Sequence, residues 1–407
     1  MTTSITLLRA ASVLWCAAGY VAAQVTWVVP SNADLASYIQ AAAPGDTLRL
    51  GATHPPFTLN KGLNLIGSGT QIVPPHQGNT VTFVNVPAGQ RASLSGVMFA
   101  MGVDPNWFPP LIFSGRAEIR GDVTLQAVSG TSYVTAPVTV FSGAVLMRNC
   151  TMTGDRGAPG LSVQGGTCSV VACTMRGSDG LQLYQGPDFD GAPGLSVSGG
   201  NVWLMGSQVR GGHLGWIYGV PALNNQPALV VSGNATVHVA QSTLVGGNGD
   251  AYVPGSPAIE VISGVVRQAR NTLTPGATQT TPPVPATVGN VQAAPDLVGL
   301  AASGSLTVGG TFTLLATVGP AQLPLFVAAS LAPSAGAHPL VAQPVLGGGN
   351  GLLIQLTVLA PAPGALATTA ITVPNNPALR GVCVAWQAFQ WTGSLFQASA
   401  IVAGVVN

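Results

Sequence analysis

The stretch Leu161-Ser-Val-Gln-Gly-Gly-Thr-Cys-Ser-Val-Val-Ala-Cys-Thr-Met-Arg176 is one of five related segments between residues 136 and 275. The segments begin alike, with Val138-Thr-Val-Phe, Leu161-Ser-Val-Gln, Leu195-Ser-Val-Ser, Leu229-Val-Val-Ser and Ile259-Glu-Val-Ile. Their first residues are spaced 23, 34, 34 and 30 positions apart. Self-similarity at such a period is typical of repeat architectures, in which each unit completes its core by stacking on the next.

Each segment holds two short runs in which apolar and small polar residues alternate. A period of two predicts β-strands, and the Gly and Pro residues between the runs predict turns. The spacings fit a coil of 23 residues with insertions of 11, 11 and 7, obtained by subtracting 23 from 34, 34 and 30. The sequence therefore predicts a parallel β-solenoid whose insertions leave one edge as loops, after the second run of each coil.

Two columns of equivalent positions support this alignment. One is small or polar throughout and the other, two residues later, is apolar throughout; they hold Cys150, Cys173, Ser207, Ser242 and Asn271, and Met152, Met175, Val209, Leu244 and Leu273. Because stacked strands lie about 4.8 Å apart, Cys150 and Cys173 would come within disulfide range. The alternative is a pair of buried free thiols, since Ser and Asn replace Cys in the same column. The other cysteines of the predicted mature chain, Cys168 and Cys383, show no metal-binding spacing.

The composition excludes several classes of protein. The 407 residues carry a formal net charge of +1, only 6% are charged, and Gly and Pro number 53 and 32. Such a chain lacks the pattern of a helical protein, and without a basic patch it is not expected to bind nucleic acid. With 47% hydrophobic residues it also lacks the composition of a disordered chain.

The N-terminus has the pattern of a secretory signal peptide. Arg9 supplies the positive charge, residues 10–18 form a short apolar core, and Val21-Ala-Ala-Gln24 offers a cleavage site after Ala23. The alternative is a buried first helix. Residues 1–23 are thus predicted to be removed and the protein to be secreted or held at the cell surface. No later stretch reaches the roughly 18 apolar residues of a membrane helix, so no membrane span is expected in the mature chain.

The beginning of the mature chain resembles a known superfamily. A short helix is predicted within residues 32–43, with Ser31 and Asn32 as N-cap candidates, and would cap the open end of the core. It is followed by Ala43-Pro-Gly-Asp-Thr-Leu-Arg-Leu50 and by Gly62-Leu-Asn-Leu-Ile-Gly-Ser-Gly69. This succession is similar to the start of pectin-lyase-like right-handed parallel β-helix proteins. The resemblance covers residues 25–290 and implies that fold; because the superfamily holds lyases, hydrolases, epimerases and adhesins, it does not imply one function.

The fold class predicted from the sequence is all-β, a right-handed parallel β-helix with a short N-terminal capping helix, followed by a β-sandwich. The predicted divisions are residues 24–273 for the β-helix, 274–296 for a Pro- and Thr-rich linker and 297–407 for the sandwich. Within the less regular residues 70–135, strands are predicted at 80–84, 92–95, 111–113 and 123–125. The run Val373-Pro-Asn-Asn-Pro-Ala-Leu-Arg-Gly381, followed by Gln387, resembles a C-terminal β-sandwich module of secreted bacterial proteins, although Trp386 stands where members often carry Tyr.

The outward positions of the first strands carry little that could catalyse a reaction. They are Thr139, Ser162, Ser196, Val230, Glu260, Phe141, Gln164, Ser198, Ser232 and Ile262. A pectate-lyase-type reaction needs carboxylates that gather Ca²⁺ and a basic residue, and a polygalacturonase-type reaction needs paired Asp residues. Glu260 is the one carboxylate among these ten positions, so no catalytic residue is assigned.

The predicted loops carry the candidate site. Five of the 12 acidic residues fall in them, beside aromatic side chains that could stack on sugar rings. The candidate ligand-binding residues are Asp179, Tyr184, Asp188, Asp190, Trp216, Tyr218, Asp250 and Tyr252. The alternative is that the Asp residues cap turns and the aromatic residues seal the loops. Asp188-Phe-Asp190 offers too few oxygens for a complete Ca²⁺ site, so no cofactor or metal is assigned.

These features favour a secreted or cell-surface protein without catalytic activity, acting in adhesion, in structure or in binding of glycans through the loop edge. Its expected partner is an extracellular polysaccharide or a cell-envelope polymer, and it is expected to be a monomer. The alternative is a polysaccharide lyase or glycoside hydrolase with a site among the loops. An enzyme would bring at least three of Asp155, Asp179, Asp188, Asp190 and Asp250 within about 6–9 Å of one another.

Overall fold

A computed structural model of the chain describes residues 24–74, 81–104, 111–113, 115–180, 190–213, 216–217, 220–221, 225–249, 253–277, 283–293, 299–303, 306–317, 325–330, 334–338, 341–347, 352–358, 366–376, 383–391, 396–398 and 402–406. The predicted signal peptide, residues 1–23, lies outside these ranges.

Among the residues described in the first part of the chain there are one short helix and many short strands. The helix is α1 (Leu35–Ala41), and the strands are β1 (Thr26–Val29), β2 (Thr47–Leu50), β3 (Thr53–His54), β4 (Thr58–Leu59), β5 (Asn64–Ile72), β6 (Val81–Asn85), β7 (Arg91–Phe99), β8 (Gly102–Asp104), β9 (Leu111–Phe113), β10 (Arg116–Arg120), β11 (Asp122–Gln126), β12 (Ser129–Tyr133), β13 (Val138–Ser142), β14 (Ala144–Arg148), β15 (Thr151–Asp155), β16 (Leu161–Val163), β17 (Thr167–Val171), β18 (Thr174–Arg176), β19 (Leu195–Val197), β20 (Asn201–Met205), β21 (Gln208–Arg210), β22 (Trp216–Ile217), β23 (Val220–Pro221), β24 (Leu229–Val231), β25 (Thr236–Ala240), β26 (Thr243–Val245), β27 (Ile259–Val261), β28 (Val265–Ala269), β29 (Thr272–Thr274), β30 (Thr287–Val288) and β31 (Val291–Ala293).

The later part contains strands only, among the residues described there. They are β32 (Gly299–Ser303), β33 (Thr311–Thr317), β34 (Leu325–Ser330), β35 (Ser334–His338), β36 (Val341–Gly347), β37 (Leu352–Val358), β38 (Leu366–Thr372), β39 (Cys383–Trp391), β40 (Phe396–Ala398) and β41 (Val402–Val405).

Three parallel sheets form the first part. The first sheet has the order β4-β6-β10-β13-β16-β19-β24-β27-β30. The second runs β1-β2-β5-β7-β11-β14-β17-β20-β25-β28-β31, and the third runs β3-β5-β7-β12-β15-β18-β21-β26-β29. The long strands β5 and β7 belong to both the second and the third sheet. Because each strand pairs in parallel with its equivalent in the next turn of the chain, the arrangement is a β-solenoid, as the repeats predict.

Each central coil has three strands rather than the two runs that the sequence predicts. The second run divides at one residue with a positive φ, so that β17 and β18 belong to different sheets. The dividing residues are Ala127, Asn149, Ala172, Gly206, Gln241 and Arg270, with φ between 49° and 55°. A left-handed residue at this point turns the chain sharply, which splits one alternating run into two strands.

The strands predicted in residues 70–135 are confirmed, with shifted ends. They correspond to β6, β7, β9 and β11, of which β9 has the predicted bounds. β9 pairs with β8 in antiparallel fashion and stands apart from the three parallel sheets. β30 and β31 fall inside the predicted linker, where they pair in parallel with β27 and β28.

The core lies between the three sheets and follows the predicted alternation. In β16, Leu161 and Val163 are fully buried and Ser162 between them is half-buried. The same pattern recurs in β19 and β27, so successive coils stack apolar side chains in columns. Burial of one such aliphatic side chain stabilises the fold by about 1.5–3 kcal/mol.

Helix α1 covers one end of this core with Leu35 and Ile39, which are both buried. Its N-cap is Asp34, whose Oδ1 accepts the N–H of Ala36 at 3.2 Å, so the predicted caps at Ser31 and Asn32 are wrong. Asn32 has a φ of 60° and belongs to the turn that precedes the cap.

The turn after α1 is held by the buried carboxylate of Asp46. It accepts the N–H groups of Val25 and Ala43, both at 2.9 Å, and the indole N–H of Trp27 at 3.1 Å. Burial alone would raise the pKa of Asp46, but these three donors hold it below its usual value. The carboxylate thereby fastens the first strand to the turn that enters β2.

Replacement of Asp46 by Asn should destabilise the fold at neutral pH, because one amide oxygen cannot replace two carboxylate oxygens among three donors. We expect a loss of about 2–3 kcal/mol in the free energy of unfolding at pH 7. Since the folded-state pKa is depressed, the stabilisation is present above the ordinary value of 3.8 and is lost as the pH falls through the folded-state pKa. Urea unfolding of both proteins at pH 7 and pH 3 checks this; a gap that does not shrink at pH 3 would contradict it.

A ladder of hydrogen bonds runs through the core along the column predicted to be small or polar. The amide of each member donates to the side chain of its equivalent in the next coil. The bonds are Cys150 N to Cys173 Sγ (3.4 Å), Cys173 N to Ser207 Oγ (3.1 Å), Ser207 N to Ser242 Oγ (3.2 Å) and Ser242 N to Asn271 Oδ1 (2.9 Å). The left-handed bend before each member turns its amide away from the strands, and the ladder satisfies that buried group. Cys150, Cys168 and Cys173 are free thiols, and burial raises the pKa of Cys168 to about 12.

Ser207 tests this ladder because its column contains both sulfur and oxygen acceptors. We expect Ser207→Ala to cost about 1–3 kcal/mol, since the buried amide of Cys173 loses its partner. Ser207→Cys should cost less, because Cys holds the same position in two other coils. Chemical denaturation of both variants, with the exposed Thr174→Ala as a control, measures the difference; equal losses for Ala and Cys would contradict the ladder.

The strands after residue 298 form two antiparallel sheets. One has the order β32-β33-β38, and the other has the order β35-β36-β40-β39-β34-β37, with β41 on β39. Within the second, β36 and β40 pair in parallel. The ring of Phe312 from the first sheet packs on Trp386 from the second, with 4.7 Å between ring centres. β41 lies beside β11 and β14, and β32 lies beside β20, with Cα atoms within 8 Å. The antiparallel sheets therefore lie over the middle of the second parallel sheet.

Candidate binding surface at the loop edge

The insertions leave the solenoid from one edge, as predicted. Each begins directly after a strand of the third sheet and returns before the next strand of the first sheet. The three loops that contain the insertions follow β18, β21 and β26 and span residues 177–194, 211–228 and 246–258. We call this side of the solenoid the loop edge.

Each insertion is closed at its base by backbone hydrogen bonds that link its two ends and continue into the next coil. These bonds form one string along the solenoid. They are Ser178 N to Ala158 O (3.1 Å), Ala192 N to Ser178 O (2.9 Å), Gly212 N to Ala192 O (2.9 Å), Gln226 N to Gly212 O (3.1 Å), Gly247 N to Gln226 O (2.9 Å), Ser256 N to Gly247 O (2.9 Å) and Gly276 N to Ser256 O (2.8 Å). The insertions thus leave the solenoid through narrow, evenly stacked necks.

Glycine is required where these necks stack. A Cβ atom on Gly212 would lie 1.7 Å from the carbonyl oxygen of Ser178, and one on Gly247 would lie 1.9 Å from that of Gly212. Both neighbours are backbone atoms, which cannot move without breaking the string.

Gly212→Ala should therefore cost about 1–3 kcal/mol in the free energy of unfolding through overpacking. Gly206→Ala is the control for space, because no atom beyond its chain neighbours lies within 4 Å of the position that a Cβ would take, and its cost of about 1 kcal/mol comes from its φ of 55° alone. Thermal unfolding of the two variants compares them. A control that destabilises as much as Gly212→Ala would refute the steric account.

Above the necks, three side chains from successive coils form a polar column. Asp179, His213 and Asn248 each stand three residues beyond the end of their strand. The amide of His213 donates to Asp179 Oδ1, the amide of Asn248 donates to His213 Nδ1, and the amide of Ala277 donates to Asn248 Oδ1, each at 2.9 Å. These hydrogen bonds fix the position of the start of each loop relative to the start of the next loop.

Burial favours the neutral form of the His213 ring. Nδ1 accepts a hydrogen bond, so the ring proton lies on Nε2. Burial lowers the pKa of His213; Asp179 opposes this shift, while Arg210 and Arg176 add to it. Arg176 is also paired with Asp179 at 2.5 Å, but both side chains are nearly half exposed, and such a pair contributes little to stability.

Acid should open the polar column at His213. Because the folded-state pKa is lowered, the neutral ring stabilises the column above pH 6.5, and this contribution is lost as the pH falls through the folded-state value. We expect the amide of Asn248 to lose protection from hydrogen exchange between pH 7.5 and pH 5, after correction for the intrinsic exchange rate. In His213→Asn, which copies the residue of the next coil, this pH dependence should disappear; its persistence would rule out His213 as the cause.

The exposed side of the third sheet lies beside the loops, and we call it the threonine floor. One outward position per strand gives a column of exposed polar side chains at Thr151, Thr174, Gln208, Thr243 and Thr272. The next outward position carries Arg176 and Arg210 in adjacent strands. Hydroxyl, amide and guanidinium groups thus repeat along the solenoid at the spacing of its strands, about 4.8 Å.

The structure describes three of the eight candidate ligand-binding residues. Asp179 lies in the polar column, and Asp190 is exposed at the other side of the same neck. Trp216 lies in β22, a two-residue strand that pairs with β23 in antiparallel fashion. The candidates outside the described residues are Tyr184, Asp188, Tyr218, Asp250 and Tyr252.

Sequence reasoning missed the alignment of His213 with Asn248 and the threonine floor. Both follow from the register of Arg176 with Arg210. The polar column lies three residues after these positions, and the floor lies two residues before them.

Among the described residues, no three His, Cys, Asp or Glu side chains are arranged to hold a metal ion. The convergence expected of an enzyme involves Asp188 and Asp250, which lie outside those residues. The described part of the chain also contains no helix long and apolar enough to cross a membrane.

Comparison with known proteins adds little to this geometry. No protein-family model matches the chain, and no curated protein matches it. A solved structure from Geobacillus virus E2, ORF18, is similar over 93% of this chain and 70% of its own length, with 10% sequence identity and a TM-score of 0.21. A likeness this weak assigns neither fold nor function.

Proposed function

We propose that the chain is a secreted or cell-surface binding protein without catalytic activity, and that its loop edge and threonine floor hold an extracellular glycan. The observation that carries the proposal is the regular repeat of polar groups at this edge. Donors and acceptors on neighbouring coils match the hydroxyl groups of a polymer that lies along the solenoid. The loops beside the floor carry Trp216 and the other candidate aromatic residues, which supply faces for sugar rings.

The proposal includes finer features of the fold and location. The solenoid would be a right-handed β-helix of the pectin-lyase-like type, and the two antiparallel sheets would form a β-sandwich, for which the contact of Phe312 with Trp386 is the main support. Residues 1–23 would direct export and be removed. The partner would be a polysaccharide or another polymer of the cell envelope.

A glycan array probed with the purified mature protein, with and without Ca²⁺, tests this function. We expect retention without any product. Retention should fall about tenfold in the double variant Thr174→Ala, Thr243→Ala, which removes two hydrogen-bonding groups from the floor. Trp216→Ala should also weaken it.

The control for the floor is Thr58→Ala, an exposed threonine in the first sheet that should leave retention unchanged. Formation of shortened or unsaturated sugars, lost on replacement of Asp188 or Asp190, would replace the proposal by a lyase or hydrolase. Retention that survives the double variant would place the binding surface elsewhere.

A further inference from the structure

The outer face of the second sheet is buried in the middle of the solenoid. Two outward side chains in each of β7, β11, β14, β17, β20 and β25 are 8% exposed or less: Ser93, Ser95, Thr124, Gln126, Leu146, Arg148, Ser169, Val171, Trp203, Met205, His238 and Ala240. Towards the ends of the same sheet, the outward residues Arg49 and Arg267 are exposed. The two antiparallel sheets lie over this middle region, beside β11, β14 and β20. We call the buried region the covered face.

The covered face has the composition of a surface that meets water. Seven of its 12 side chains are polar or charged, whereas the inward face of the same strands is apolar. Parallel sheets that are permanently buried on both faces are usually hydrophobic on both. Contacts between domains that are polar in this way resemble transient interfaces, which separate more easily than apolar ones.

The two aromatic residues of this face carry buried ring nitrogens that have no hydrogen bond among the described residues. The indole Nε1 of Trp203 and the Nδ1 of His238 have no partner, although the two residues are only 7% and 6% exposed. A buried polar group left unsatisfied costs about 1–3 kcal/mol. We call the antiparallel sheets over this face the cover. The cover shields these two side chains from water without replacing the hydrogen bonds that water would give.

Trp203 and His238 also stack face to face from neighbouring strands of the second sheet. Their rings stack with 5.3 Å between centres and 3° between planes. Burial lowers the pKa of His238 to about 4, with a further contribution from Arg267, so the ring is neutral at neutral pH. Stacked rings turn their edges outward, and their unpaired ring nitrogens, among Ser, Thr and Gln side chains, suit the hydroxyl groups of a sugar.

We propose that the covered face is a second carbohydrate-binding surface, centred on Trp203 and His238, and that an extended neutral polysaccharide occupies it when the antiparallel sheets swing away. The face spans six strands and is therefore about 25 Å long, enough for a chain of several sugars. Apart from Arg148, the 12 side chains of this face are uncharged at neutral pH, which is why we propose a ligand without a repeating charge. This surface differs from the loop edge, since it lies on another sheet and is closed in the full chain.

If the surface is open in only a fraction of the molecules, the apparent Kd equals the intrinsic Kd divided by that fraction. Any change that weakens the cover should raise affinity without altering the binding residues. This separates the covered face from the loop edge, whose affinity would not respond to the cover.

The test uses the full chain with Val406→Asp, which places a charge at a buried position immediately after β41. The matched control is Asn375→Asp, at an exposed position of the same region. Hydroxyl-radical footprinting of Trp203 and Met205 reports opening, and retention on hydroxyethyl cellulose and galactomannan, two neutral polysaccharides, reports binding. We expect Val406→Asp to raise the labelling of Trp203 and Met205 and the retention on polysaccharide each about tenfold, with no effect of the control.

Adding Trp203→Ala to the opened variant should abolish the gain in retention, while the threonine-floor double variant should leave the gain intact. Opening without a gain in retention would overturn the proposal. Retention on polygalacturonate alone would contradict the neutral class of ligand.

If Val406→Asp does not fold, a second measurement decides. A protease site inserted at residues 294–298 of the full chain, after the last solenoid strand β31 and before β32, allows cleavage after folding. The proposal expects the C-terminal fragment to leave the solenoid when neutral polysaccharide is added. Fragments that elute together at every polysaccharide concentration would show a permanent interface and overturn it.

Discussion

The structure depends on one constraint: each central coil must turn sharply between its second and third strands, and the turn leaves a buried amide without a strand partner. The side chain after the bend in the next coil supplies the missing acceptor, whether as the sulfur of Cys173, the hydroxyl of Ser207 or the amide oxygen of Asn271. A buried backbone donor without such an acceptor would cost as much as several methylene groups of burial contribute. This requirement fixes the register of the coils and with it the stacking of every other column.

Once register is fixed, the three sides of the solenoid acquire different roles. The third sheet exposes a row of hydroxyl groups beside the loops, whereas the second sheet turns its polar outer face under the antiparallel sheets. Both faces come from the same alternation of inward apolar and outward polar residues. What separates them is the later part of the chain, which covers one face and leaves the other open.

The repeat, the loop edge and the column of small or polar residues could be predicted from the sequence, because stacking makes each column compatible with itself. The third strand could not, since Ala172 and Gln241 adopt a left-handed conformation that neither residue type indicates. The covered face was hidden for a different reason. Ser169 and Trp203 occupy outward positions of strands whose pattern predicts a solvent-facing side, and only long-range packing buries them. In the candidate site, Asp179 was recognised, but its alignment with His213 was obscured by insertions of unequal length.

The narrow necks have a consequence for the evolution of the chain. A neck joins its two ends by one hydrogen bond between backbone atoms, as between Ser178 and Ala192, so the solenoid is indifferent to the number of residues beyond it. An entire loop can be lengthened, shortened or exchanged as a cassette while the stacked coils keep their register. A protein built in this way can change what it recognises without changing its fold.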